Sequence, residues 1–84
     1  DVRTRGEFSQ GHISGAINID VEAGTFQNEV TKLDKTKTYA VYCQSGRRSG
    51  IATEEMKKLG FEYLFNLANG MNEWMSQGLG VVVS

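Results

Sequence analysis

An 84-residue chain has room for one hydrophobic core, which excludes a two-domain enzyme. With 39% hydrophobic and 23% charged residues and a net charge of -1, it reads as an ordinary globular domain, and nine Lys and Arg against ten Asp and Glu leave no overall field to draw in a nucleic acid. One cysteine and one histidine exclude an internal disulfide and a thiolate-based zinc or iron–sulfur site. No apolar run approaches the ~18 residues of a membrane span. The opening Asp1-Val2-Arg3-Thr4-Arg5 carries no apolar signal core, so a cytoplasmic location is the default expectation.

With no proline, punctuation falls to ten glycines. Gly6, Gly11 and Gly15 predict loops in the first third, broken by a brief strand at Ala16-Ile17-Asn18-Ile19. Val21, Phe26, Val30 and Leu33 fit a short helix within residues 21–33, weakened by Gly24 and Thr25. Lys32, Lys35 and Lys37 alternate with threonines and Asp34 as a solvated loop. The run from Lys37 to Cys43 predicts a strand buried on both faces, as a parallel sheet requires. After a loop from Gln44 to Arg48, the spacing of Ala52, Met56 and Leu59 predicts a helix from Ser49 that Gly60 stops. An apolar stretch from Phe61 to Leu67 follows, then a short helix from Gly70 to Met75 closed by Gly78. Strand, helix, strand in that order means an α/β fold with a small parallel sheet flanked by helices.

Cys43 stands where the clearest strand enters a glycine-containing loop that leads into a helix, the place where open α/β sheets bind ligands. If Gln44, Ser45, Gly46, Arg47 and Arg48 curl into a ring, their amides converge on the sulfur while the helix dipole points its positive end at it. Both effects favour a thiolate. Arg47 and Arg48 add positive charge that would lower the thiol pKa and could hold an oxyanion. The competing reading, a small buried hydrophobe at a strand end, fits a lone cysteine but not the glycine and two arginines beside it.

Cys43-Gln44-Ser45-Gly46-Arg47-Arg48-Ser49 resembles the Cys-x-x-Gly-x-Arg-Ser active-site loop of the rhodanese family of sulfurtransferases. Asp1-Val2-Arg3, Glu7-Phe8 and Gly11-His12-Ile13-x-Gly15-Ala16 are similar to that family's upstream signature, and Leu67-x-x-Gly70-x-x-x-Trp74 to its closing segment. The resemblance implies a rhodanese-like three-layer fold in which Cys43, as an exposed nucleophile, cycles between thiolate and persulfide. Sulfur would pass from a small anionic donor such as thiosulfate to cyanide, a thiol or a protein acceptor, with no metal or cofactor. The loop amides would stabilise the persulfide, Arg47 or Arg48 would orient the donor, and Gly46 would let the ring close without crowding the sulfur. Related domains carry a strand and a helix ahead of the Asp-Val-Arg signature, which is residue one here, so those elements are expected to be missing from this sequence. The family's prolines are replaced by Asp20 and Gly80, which should alter loop stiffness more than chemistry.

Two rival functions carry different signatures. Phosphatases and arsenate reductases of the same superfamily place their arginine seventh in the loop, counting from the cysteine, where this chain has Ser49; Arg48 is sixth, so the cradle is one residue short for a tetrahedral oxyanion. A redox- or sulfur-sensing binding module would keep Cys43 but show no turnover. His12 is expected to hydrogen-bond a neighbouring loop, Trp74 with Met71 and Met75 to belong to the core, and Asp1 and Arg3 to be either a structural ion pair or solvated.

Overall fold

The computed structural model describes residues 1–83. Its elements run α1 (Arg5–Gln10), α2 (Phe26–Val30), β1 (Tyr39–Val41), α3 (Arg47–Lys58), β2 (Leu64–Asn66) and α4 (Gly70–Ser76). β1 and β2 pair in parallel, with Val41 opposite Asn66, and α3 is the crossover between them.

The expected strand–helix–strand order is present, but five details differ. The first third holds a helix, not only loops. Thr4 caps α1 through a reciprocal box: the Glu7 amide donates to Thr4 Oγ1 at 3.3 Å, and the Thr4 amide donates to Glu7 Oε1 at 3.1 Å. Those two bonds satisfy end groups that Gly6 alone would not have organised. Residues 16–19 are not a strand of the sheet. They run extended beside the start of the chain, where the Ile19 amide donates to Asp1 O and the Val2 amide to Tyr42 O, both at 2.9 Å. α2 shrinks to five residues, anchored by buried Phe26 and Val30.

β1 is only three residues long and is not buried on both faces, because Ala40 is exposed while Val41, Tyr42 and Cys43 are buried. α3 starts at Arg47 rather than Ser49, so both arginines lie in its first turn. Its inward stripe of Ser49, Ala52, Thr53 and Met56 follows the helical repeat and meets the sheet. Ala52, Met56 and Cys43 share one core cluster with Val2, Phe26, Val30, Val41 and Phe61. Fully burying a side chain the size of Met56 is worth about 1.5–3 kcal/mol. Gly60, at φ +101°, ends α3 in the left-handed region open to glycine.

Candidate active site

Cys43 follows β1 by two residues and belongs to the core wall: it is 0% exposed, not the open nucleophile expected from the sequence. The Gly46 amide donates to Cys43 Sγ at 3.0 Å, and the Cys43 thiol donates to Ser49 Oγ at 3.5 Å. Burial pushes the thiol pKa up. Hydrogen bonding with the Ser49 side chain, then from the amides of Ser49, Gly46 and Ser45, outweighs burial and holds the thiol below its ordinary value. The expected ring of five amides is therefore drawn from fewer of them, and Ser49, outside the expected set, supplies the leading contribution. The twelve-residue α3 adds the positive end of its dipole.

Two glycines shape the loop for steric reasons. Gly46 caps α3 at φ +107°, and a Cβ there would sit 1.7 Å from Ala68 O, so the side chain is excluded by the neighbouring loop rather than by the sulfur. Gly70 has φ +50°, and its Cβ would come within 2.1 Å of Cys43 O. That close approach lets the first turn of α4 grip the loop: the Met71 amide donates to Cys43 O at 2.9 Å and the Asn72 amide to Gln44 O at 3.0 Å. Gln44 is clamped from both sides. Arg3 Nη1 donates to its Oε1 at 3.1 Å, and its Nε2 donates to Asn72 Oδ1 at 2.7 Å.

Arg3 also settles the alternatives left for Asp1 and Arg3. Their side chains form a buried ion pair, with Arg3 Nε donating to both Asp1 carboxylate oxygens at 3.0 and 3.1 Å, and Arg3 reaches Gly11 O at 2.7 Å. The two loop arginines part company. Arg48 donates from Nη1 to Glu7 Oε1 at 2.7 Å and from Nη2 to Glu7 Oε2 at 2.9 Å, with Glu22 a further 3.8 Å away. The hydrogen bond from Arg48 holds the Glu7 carboxyl down to about 2, and Glu7 in return raises the guanidinium pKa. Arg47 is exposed and has no ion-pair or side-chain hydrogen-bond partner among the described residues. Glu7 entered the sequence analysis only within the Glu7-Phe8 signature, and nothing in its spacing from Arg48 announces the pair.

His12 hydrogen-bonds Phe8 O through Nδ1 at 2.9 Å and stacks on the Phe8 ring at 3.6 Å, so its ring is held by helix α1 rather than by the neighbouring loop expected. The proposed aromatic core near the C-terminus is only partly formed. Met71 is buried, Trp74 is half-buried with its Nε1 donating to Gly80 O at 2.8 Å, and Met75 is 58% exposed. A cleft of about 320 Å³ opens beside the loop between Arg3, Glu7, Gln44 and Met71, and Cys43 itself is not in its walls. The described residues contain no helix long and apolar enough to cross a membrane and no group of three or more His, Cys, Asp or Glu side chains placed to hold a metal ion.

The rhodanese-like domain model matches residues 1–77. The chain belongs to the rhodanese-like family. It is 36% identical over 73 residues to the thiosulfate sulfurtransferase PspE of Escherichia coli, covering 87% of this chain and 69% of that one. It is 35% identical over 74 residues to the putative sulfur carrier protein YrkF of Bacillus subtilis, covering 88% of this chain but only 39% of that one. The chain thus spans well under half of one curated relative and about two thirds of another. A crystal structure of a rhodanese-related protein from Thermoplasma volcanium superposes with a TM-score of 0.89 at 32% identity, over 100% of this chain and 81% of that one. An E. coli rhodanese solved with anions gives 0.78 at 32% identity, over 100% and 94%. These likenesses establish the rhodanese fold for the short parallel sheet and its helices, with the cysteine loop between β1 and α3, and place the chain among sulfurtransferase relatives.

Proposed function

We propose that this rhodanese-like chain is a sulfurtransferase in which Cys43 carries the transferred sulfur as a persulfide. The observation that carries the reading is the sulfur at the sheet's end with the Gly46 amide 3.0 Å away and the start of α3 behind it, an arrangement suited to a sulfur anion. The thiolate attacks the outer sulfur of a donor such as thiosulfate. A new S–S bond forms as the old one breaks, and sulfite leaves with the bonding electrons. A nucleophile such as cyanide or a thiol then takes the outer sulfur, and the pair in the broken bond returns to Cys43. Gly46, Ser45 and Ser49 would stabilise both anionic forms of the sulfur. Because Glu7 already neutralises Arg48, the exposed Arg47 is the cation free to meet the donor's sulfonate end.

The buried sulfur requires the loop to open for the donor. Phosphatase chemistry is disfavoured because the loop position its arginine would take holds Ser49, and Arg48, one place earlier, is bound at both terminal nitrogens by the Glu7 carboxylate. The test is intact mass spectrometry after incubation with thiosulfate. Wild type should gain one sulfur atom and lose it to cyanide as thiocyanate, while Cys43→Ala should gain none. Absence of the gain, with thiosulfate left unconsumed, would overturn the assignment and favour a sensing module.

A further inference from the structure

Ser49 is wholly buried, and its hydroxyl oxygen lies among three groups: Cys43 Sγ at 3.5 Å, Gly46 O at 3.1 Å and Asn66 Oδ1 at 2.6 Å. A hydroxyl has one proton to give. Both carbonyl oxygens can only accept, so while that proton points at either one, Ser49 offers the sulfur a lone pair. That arrangement accepts a hydrogen bond from the thiol but does nothing for a thiolate. Stabilising the thiolate requires the same proton to turn to sulfur, which leaves Asn66 Oδ1 facing a bare oxygen at 2.6 Å. An amide escapes that conflict by rotating and presenting its NH₂ instead.

Asn66 is built to rotate. It is the last residue of β2, its backbone fixed opposite Val41, yet it is exposed and its Nδ2 has no hydrogen-bond partner among the described residues. We propose that Asn66 is a positioning residue: the orientation of its amide decides whether the Ser49 hydroxyl accepts from the Cys43 thiol or donates to the Cys43 thiolate. The end of β2 thereby takes part in ionising a cysteine carried by β1. The charged groups near this relay are Arg48 on α3, held by Glu7 of α1 with Glu22 close by, and Arg3, held by Asp1; none of them bonds Ser49 or Asn66. The inference rests on the proposed sulfur transfer only for its consequence in turnover, because the ionisation of the one cysteine can be read without any sulfur donor.

The discriminating variant is Asn66→Asp, which keeps the shape but can only accept and so pins the Ser49 proton away from sulfur. Titrating the thiolate by its ultraviolet absorbance, at salt high enough to screen distant charge, should show the Cys43 pKa raised by about one unit. In a Ser49→Ala background the same substitution should produce about half that shift or less, since the relay is gone. Equal shifts in the two backgrounds would mean that the new carboxylate acts through space, and would overturn the proposal. Should Asn66→Asp fail to fold, Asn66→Ala answers the same question: its effect on the thiol pKa must differ between the wild-type and Ser49→Ala backgrounds, and identical effects would refute the relay. A failed mass gain with thiosulfate alongside a positive coupling would reject the sulfur-transfer reading and leave the relay standing.

Discussion

Glu7 and Arg48, forty-one residues apart, meet through two hydrogen bonds of 2.7 and 2.9 Å that tie the first helix to the first turn of α3, beside the cysteine loop. The pair removes from the loop one of the two positive charges that its composition promises. It also makes Glu7 serve twice, because the same Oε1 closes the capping box on the Thr4 amide.

Releasing Arg48 should strengthen anion capture. Glu7→Gln keeps the capping geometry while removing the charge that neutralises the guanidinium, so the KM for thiosulfate should fall by about two- to fivefold, the worth of a partly exposed charge contact. Steady-state kinetics at fixed ionic strength checks this. A KM that holds or rises would mean that Arg48 stays out of reach of the donor.

The same pair should mark the acid limb of stability. Glu7 titrates at about 2 in the folded chain against an ordinary 4.5, so its contribution is complete above 4.5 and is lost as pH falls toward 2. Thermal melts of wild type should therefore drop through that window more steeply than melts of Glu7→Gln. Parallel curves would show that the pair adds nothing to folding.

Cys43→Ala should cost more than an exposed nucleophile would. Cys43 is 0% exposed and shares a core cluster with Ala52 and Met56, so losing the sulfur should destabilise by about 1–2 kcal/mol, by the cavity it leaves. Urea denaturation measures it. A change near zero would mean that the sulfur makes no packing contribution despite its burial.

Glycine substitutions should rank by what a Cβ meets. Gly46→Ala and Gly70→Ala place that atom 1.7 Å and 2.1 Å from backbone oxygens at positive φ, and each should cost about 3 kcal/mol or more or move the loop. Gly15→Ala has the same kind of φ but open space around it, so about 1 kcal/mol is expected. Similar melting temperatures for all three variants would contradict the close approach of α4 to the cysteine loop.

Local signals were strong where one element decides its own fate. The run to Cys43 located β1, the spacing of Ala52 and Met56 located α3, and Gly60 marked its end, because hydrophobic period and backbone freedom act over a few residues. The loop motif likewise singled out Cys43 and Gly46. Thr4-x-x-Glu7 held a helix start that the surrounding glycines masked, and Ala16 to Ile19 has strand-like composition but spends its backbone bonds on the start of the chain.

Contacts between partners far apart along the chain had to wait for the fold. Composition put two free arginines beside the thiol; the ion pair that joins α1 to α3 gave one of them to Glu7. Nothing local tells Ser49 that Asn66, seventeen residues on, will come within 2.6 Å, or tells Gly70 that Cys43 O will leave no space for a side chain. The chain's own residue order determines which groups can do chemistry on sulfur, because that depends on side-chain type and loop spacing. The charge, burial and proton position of those groups follow from the fold, because they depend on neighbours that only the parallel pairing of β1 and β2, and the docking of α1 and α4 on the loop, bring into reach.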